Sequence, residues 1–333
     1  MATTGDGSAS AIEAVELTKT YGKGVRALDG LSFSATGGTV FALLGPNGAG
    51  KSTTIKILTT LSRPDSGRAR VAGIDVLADP GRVRRAIGVV GQRPSFDRDA
   101  TGRENLVLQG QIYDVTGRRL KLRVDALLER FGLAQAANRA AKTYSGGMQR
   151  RLDIALGLLH EPEVLFLDEP TTGLDPEARA EMWKEIGRLT SEEQMTILLT
   201  THYLEEADEL AAQLAIVDRG RIVAAGTPDE LKSSLEGDSL QIELADLPVD
   251  GDVRRAIERV EGLSELVLEG RHLRARARDA ATAMPALIAA LNESGHTVAK
   301  LSLSRPSLDD VYLRVAGRAF HEADSEQPRE SGA

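Results

Sequence analysis

Short, uninterrupted apolar runs punctuate the chain: Val40-Phe41-Ala42-Leu43-Leu44, Val164-Leu165-Phe166-Leu167 and Ile197-Leu198-Leu199. Runs of this length without polar alternation predict strands buried on both faces, as in a parallel sheet. Helical patterns separate them, so the segment from Ile12 to about Leu235 reads as α/β. One piece breaks the rhythm. From Thr101 to His160 the pattern is helical, with Leu120, Val124, Leu127, Leu128 and Phe131 on one face and Gly132 as a C-terminal stop. This predicts an all-helical subdomain, about 101–160, set on an α/β core.

After Leu235 the pattern changes. Leu240, Ile242 and Leu244 alternate as a half-buried strand, and Val253, Ile257 and Val260 follow at helical spacing. Leu266 and Leu268, then Leu273, Ala275 and Ala277, alternate again. Met284, Leu287, Ile288 and Leu291 are helical, and Ala299, Leu301 and Leu303 close as a strand. The order β-α-β-β-α-β predicts a small ferredoxin-like α+β domain. Pro285 fits its helix if Thr282 is the cap, which leaves the proline in the first turn. A short helix, Asp309 to Val315, follows. Arg274, Arg276 and Arg278 alternate with apolar neighbours, which predicts a solvated sheet face. The expected division is a flexible tail at 1–10, a nucleotide-binding domain at 11–235, an accessory domain at 236–318 and an acidic tail at 319–333.

Composition sharpens this picture in three ways. The 333 residues contain no cysteine, which excludes disulfide scaffolds, thiolate metal sites and cysteine nucleophiles. The net charge of −8 argues against nucleic acid as the main partner. No apolar run is long enough to span a bilayer, and Met1 to Ser10 lacks a signal peptide's charged and apolar regions. The expected location is therefore cytoplasmic, with any membrane crossing left to another chain.

The chemistry begins at Gly45-Pro46-Asn47-Gly48-Ala49-Gly50-Lys51-Ser52, which matches G-x-x-x-x-G-K-[ST] between a buried strand and a helix running Thr53 to Leu61. Such a loop curls its N–H groups onto phosphates, and the helix start adds partial positive charge. Lys51 supplies a cation to the β- and γ-phosphates, and Ser52 a hydroxyl to Mg²⁺. Asp168 ends the second buried strand, where a carboxylate would hold Mg²⁺ through its water shell. Glu169, next in chain, points across the pleat or out of the strand end and is a candidate general base. Ser145 is a good helix N-cap, and the amides of Gly146 and Gly147 open a second anion site on a helix to His160.

Tyr144-Ser145-Gly146-Gly147-Met148-Gln149 resembles the LSGGQ signature of the ATP-binding subunits of ABC transporters, with Tyr144 for Leu and Met148 for Gln. Four further pieces match that family in order. Tyr21 occupies the aromatic position that stacks on adenine, although an ordinary strand-end tyrosine would also stand there. Gln92 resembles the Q-loop glutamine that senses Mg²⁺ and the membrane partner. Asp175, in Gly173-Leu174-Asp175-Pro176, resembles the D-loop, and His202 resembles the switch histidine on the γ-phosphate. The resemblance spans about Ile12 to Leu235. With Pro306-Ser307-Leu308-Asp309-Asp310-Val311-Tyr312-Leu313 it narrows to the daunorubicin-resistance group of drug-exporter ATPases.

The resemblance implies ATP hydrolysis with Mg²⁺, and ATP contacts from Tyr21, Gly45 through Thr53 and Gln92. It also implies Mg²⁺ held by Ser52, Gln92 and Asp168, and catalysis by Glu169 and His202. Ser145, Gly146, Gly147, Met148 and Asp175 would act across a head-to-tail homodimer, docked on an integral-membrane permease at the cytoplasmic face of the membrane. A sister chain in place of the second copy stays open. Rival readings are a soluble ABC ATPase of translation or DNA repair, and a P-loop kinase or GTPase. The single P-loop and the short interval from Lys51 to Ser145 disfavour the first. The signature, Gln92 and His202 disfavour the second.

Overall fold

The computed structural model describes residues 10–235, 237–246, 262–277, 280–304 and 306–317, together with 253, 257 and 260. β1 (Ser10–Tyr21) and β2 (Val25–Thr36) pair as an antiparallel hairpin. Ser10, expected in a flexible tail, already pairs with Thr36; residues 1–9 and 318–333 of the expected tails lie outside the described residues. β3 (Val40–Leu44) follows, buried at every position. α1 (Lys51–Leu58) starts two residues before the expected Thr53, because Gly50 already turns the chain as its N-cap. β4 (Ser66–Val71) and β5 (Ile74–Asp75) extend the hairpin into a four-stranded sheet ordered β2-β1-β4-β5. α2 (Pro80–Ala86) leads into β6 (Ile87–Val90).

The helical insert then begins. α3 (Gly102–Ile112) opens on a reciprocal cap: Thr101 Oγ1 accepts from Glu104 N, and Glu104 Oε2 accepts from Thr101 N. α4 (Gly117–Arg130) buries Leu120, Val124, Leu127 and Leu128 and ends before Gly132, whose φ is +65°. α5 (Gly146–Leu158) closes the insert, ending just short of the expected His160. Apart from an isolated bridge between Thr101 and Ala140, the regular structure here is helical.

β7 (Val164–Asp168), α6 (Pro176–Glu193), β8 (Thr196–Thr201), α7 (Leu204–Leu210), β9 (Gln213–Asp218) and β10 (Arg221–Gly226) complete the first unit. Its central sheet has six strands ordered β10-β9-β3-β8-β7-β6, parallel except for the β9–β10 hairpin. The apolar runs of β3, β7 and β8 thus stand side by side in the middle, which is why they lack alternation. Their C-terminal ends carry the segments that follow Leu44, Asp168 and Thr201.

The contacts of the chain separate a unit ending at Thr227 from one beginning at Pro228, ahead of the boundary expected at residue 235. The second unit starts with α8 (Pro228–Ser233). β11 (Asp238–Leu244), β12 (Leu263–Glu269), β13 (His272–Ala277) and β14 (Val298–Ser304) form an antiparallel sheet ordered β12-β13-β11-β14. This is the ferredoxin-like order. One face packs on α9 (Ala280–Glu293) and on the helical positions Val253 and Ile257. Because α9 starts at Ala280, Thr282 is not its cap and Pro285 lies inside the helix. The expected solvated arginine face is also corrected. α10 (Leu308–Ala316) supplies Asp309 to Arg274 at 2.7 Å, and Asp310 stands 4.0 Å from Arg276, which is only 4% exposed. Arg278 lies outside the described residues.

Candidate functional site

The loop between β3 and α1 is shaped by Gly50, at φ +113°. A Cβ there would come within 2.6 Å of Ala27 O and 2.8 Å of Leu28 Cδ2, so only glycine fits. Gly45, Pro46, Ala49 and Gly50 are buried, while Asn47 and Gly48 are exposed at the loop tip. Lys51 is 4% exposed and folds back under the loop, its Nζ donating to Gly45 O at 2.6 Å and Pro46 O at 3.0 Å. These two carbonyls hold the buried ammonium in place beneath the loop. Ser52 and Thr53 are half-buried in the first turn of α1.

β7 delivers Asp168 beside this loop. Its Oδ1 lies 3.4 Å from Ser52 Oγ and accepts from Thr200 Oγ1, on β8, at 2.6 Å. Burial pushes the Asp168 carboxyl above the usual aspartate range; Glu169 adds to this, while Thr200, Ser52 and Lys51 oppose it. A hydroxyl and a desolvated carboxylate side by side are hard oxygen donors suited to Mg²⁺, which fills its remaining positions with water and phosphate oxygens. Among the described residues no cluster of three or more His, Cys, Asp or Glu offers an all-protein cage. The donor set therefore fits a nucleotide-borne Mg²⁺.

Glu169 leaves the strand end rather than crossing the pleat. Its φ of +49° is a left-handed conformation, worth about 1–3 kcal/mol of strain for a non-glycine residue. The bend is held by Glu169 N, which donates to Thr200 O at 3.1 Å and Thr200 Oγ1 at 3.2 Å. Glu169 Oε1 stands 3.7 Å from Lys51 Nζ, and Oε2 lies 3.3 Å from His202 Nδ1 and accepts from Thr172 Oγ1 at 3.3 Å. The His202 contact has ion-pair distance without hydrogen-bond alignment. Burial works to raise the Glu169 carboxyl, but His202, Lys51 and Thr172 outweigh it and hold it below the usual glutamate range. The two neighbouring carboxyls are thus pushed in opposite directions, Asp168 up by burial and Glu169 down by its partners.

The remaining predicted residues lie around this cluster. Tyr21 ends β1, is 40% exposed and has Lys19 Nζ 5.8 Å from its ring centre. It pairs with Val25 at the tip of the hairpin whose Ala27 carbonyl backs Gly50. Gln92 is exposed and shares with Glu169, Gly146 and Gln149 the lining of a cavity of about 210 Å³. Ser145 and Gly146 are exposed at the start of α5, Gly147 and Met148 are half-buried, and Met148 N donates to Ser145 Oγ at 3.3 Å. Asp175 caps α6 by accepting from Ala178 N at 2.8 Å. Tyr144, the departure from the family's leucine, is buried; its hydroxyl donates to Ala136 O at 2.8 Å. It fits because residue 102 is glycine: a Cβ there would lie 2.3 Å from the Tyr144 hydroxyl.

Sequence reasoning did not single out Thr200, Thr172, Arg150 or Asp153. Thr200 is one of three threonines in β8, a strand buried at every position, and nothing local sets it apart from Thr196 and Thr201. All four owe their place to folding alone.

Comparison with known proteins agrees with this geometry. Residues 28–172 match the family model described as "ABC transporter", and residues 226–316 match "ATP-binding protein DrrA1-3-like, C-terminal domain". The chain is 44% identical to the daunorubicin resistance ATP-binding protein DrrA2 of Streptomyces coeruleorubidus, over 97% of this chain and 99% of that one. Among solved structures it resembles cbiO1 of Clostridium perfringens, part of the ABC transporter complex cbiONQ, with a TM-score of 0.62 and 27% identity over 75% of this chain and 96% of that chain. It also resembles a dimeric ATP-binding cassette in a post-hydrolysis state bound to ADP and Pi, with a TM-score of 0.60 and 25% identity over 65% of this chain and 98% of that chain. The chain belongs to the ABC transporter family, as an ATP-hydrolysing subunit that carries the DrrA1-3-like C-terminal domain.

Proposed function

We propose that this chain powers the export of a small hydrophobic compound, a drug or antibiotic, through a separate membrane-spanning partner. It works as a homodimer on the cytoplasmic face of the membrane. The observation that carries this reading is the pairing of one complete phosphate and carboxylate cluster around Lys51 with an exposed, anion-ready helix start at Ser145 and Gly146 in the same chain. The near full-length likeness to a daunorubicin resistance protein supports the export of a drug-like compound. Among the described residues no helix is long and apolar enough to cross a membrane, which supports a separate permease.

Each residue then has a task. Tyr21 stacks on adenine. The amides of residues 45–53 and the Lys51 ammonium hold the phosphates. Ser52, Gln92 and Asp168 would hold Mg²⁺, partly through water, and the ion would supply charge neutralisation to the phosphates. Glu169 orients the attacking water and accepts its proton, and His202 keeps Glu169 in place and touches the γ-phosphate. Ser145, Gly146, Gly147 and Met148, with Asp175, close on the nucleotide held by the other copy. Nucleotide drives closure because the closed state alone gives it contacts from both copies. Nucleic acid has no part in this cycle.

The experiment is efflux from cells that express the chain with its permease. Wild type is expected to lower accumulation of a fluorescent anthracycline, and Lys51→Ala to abolish that effect. Equal accumulation in both, with both proteins present in the membrane fraction, overturns the reading.

A further inference from the structure

Two charged side chains of α5 have no task in the cycle above. Arg150 is 9% exposed and Asp153 is 2% exposed. Three residues apart, they share one face of the helix that opens at Ser145. Arg150 donates to three backbone carbonyls: Nη1 to Gly91 O at 2.6 Å, Nη2 to Asp168 O at 3.1 Å and Nε to Pro170 O at 2.7 Å. Asp153 Oδ1 accepts from Ser95 N at 2.9 Å and from Ser95 Oγ at 2.8 Å.

The partners are not scattered. Gly91 and Ser95 bracket Gln92, and the carbonyls of Asp168 and Pro170 bracket Glu169. One helix face therefore grips both ends of the loop that carries the Mg²⁺-sensing glutamine and both sides of the turn that carries the base. Burying two charges is costly, and apolar residues of similar volume would fill the space as well. A guanidinium does what they cannot: its planar fork fixes three acceptors in one relative geometry.

We propose that Arg150 and Asp153 are positioning residues that join the signature helix, the Gln92 loop and the Glu169 turn into one moving body. A nucleotide engaging the Ser145 end of α5 from across the dimer is thereby relayed to Gln92 and Glu169 of this chain's own site. The inference rests on the composite dimer proposed above. It supplies a contiguous element whose position both sites bias, which is what coupling between sites requires.

The lack of cysteine gives a clean test, because Arg93→Cys then provides a single dye position, exposed and adjacent to Gln92. The label is placed on a chain that also carries Lys51→Ala, so that its own loop does not take ATP. It is mixed with an excess of unlabelled Glu169→Gln chain, which holds ATP and presents it to the labelled chain's α5. ATP is expected to change the dye signal. Asp153→Leu in the labelled chain is expected to cancel that change while size exclusion still reports the mixed dimer. Ser95→Ala, which leaves the interior of α5 intact, is expected to reduce it. A dye that stays silent in the intact mixed dimer, or one that responds in both variants as fully as in the parent chain, overturns the relay. Failure of unlabelled Glu169→Gln chains to dimerise in ATP overturns the composite dimer, and the relay with it.

Discussion

Glu169→Gln separates the two duties of the site, because glutamine preserves the shape of the side chain and removes its charge. The amide can still meet Thr172 Oγ1, now 3.3 Å from Oε2, but it cannot take a proton from water or pair with Lys51 at 3.7 Å. Loss of a general base costs about 10²–10⁴-fold, which is about 2.7–5.4 kcal/mol of barrier. Steady-state phosphate release should fall by that factor, while ATP binding persists and the dimer becomes trapped. Folding stability adds a second readout with a defined sign. The Glu169 carboxyl is held below its ordinary value, so its charged form contributes stability above about pH 4.5, lost as the pH falls through its folded value. Glu169→Gln should therefore melt below wild type at pH 7, with the gap closing in acid. Asp168 has the opposite shift, from burial. Asp168→Asn should melt above wild type at pH 7, and that gain should also vanish in acid. Phosphate release within tenfold of wild type in Glu169→Gln, or the same sign of melting shift in both variants, would refute the reasoning.

Two further outcomes follow from single contacts and a third from the division of the chain into units. Tyr21→Ala should weaken ATP binding by about 1–3 kcal/mol in a fluorescence titration, and Tyr21→Phe should stay near wild type; equal weakening in both would show that the ring does not stack. Gly102→Ala drives a Cβ to 2.3 Å from the Tyr144 hydroxyl and should cost about 1–3 kcal/mol in denaturant unfolding, with Tyr144→Leu in the same chain restoring most of it. Wild-type stability of the single variant would show that Tyr144 relaxes freely. A chain ending at Thr227 retains Tyr21, Lys51, Asp168 and His202 and should bind ATP with wild-type affinity; lost binding in a folded truncation would assign part of the nucleotide site to the C-terminal unit.

What could be read in the sequence was whatever local pattern dictates. The runs in β3, β7 and β8 announce central strands because burial on both faces removes alternation. The loop from Gly45 to Ser52 announces phosphate because its glycines serve one backbone shape. The convergence of Thr200 on Asp168 and Glu169 was not readable, since it depends on β7 and β8 being neighbours in register. Arg150 and Asp153 look like ordinary polar positions of a helix until β6 and β7 are laid against it. The arginines of β13 were misjudged for a related reason: period-2 polarity is the same whether water or a helix covers the face. Leu308, Val311 and Tyr312, all buried, held the clue that α10 needed something to lie on.

That last helix has a bearing on how the chain is made. α10 packs against α8, and Arg314 Nη1 donates to Ser234 O at 2.9 Å. The element that opens the C-terminal unit is thus gripped by the element that closes it, and Tyr312 is wholly enclosed. Contacts between the two ends of a sequence form late, because the whole intervening loop must be ordered first. During synthesis the ATP-binding unit can fold while its successor is still emerging, whereas the C-terminal unit has to wait for α10 to leave the ribosome. Premature termination before Leu308 would then yield an ATP-binding unit trailing an unclosed sheet, with Arg276 and its neighbours stripped of their acidic cover and presented to chaperones and proteases.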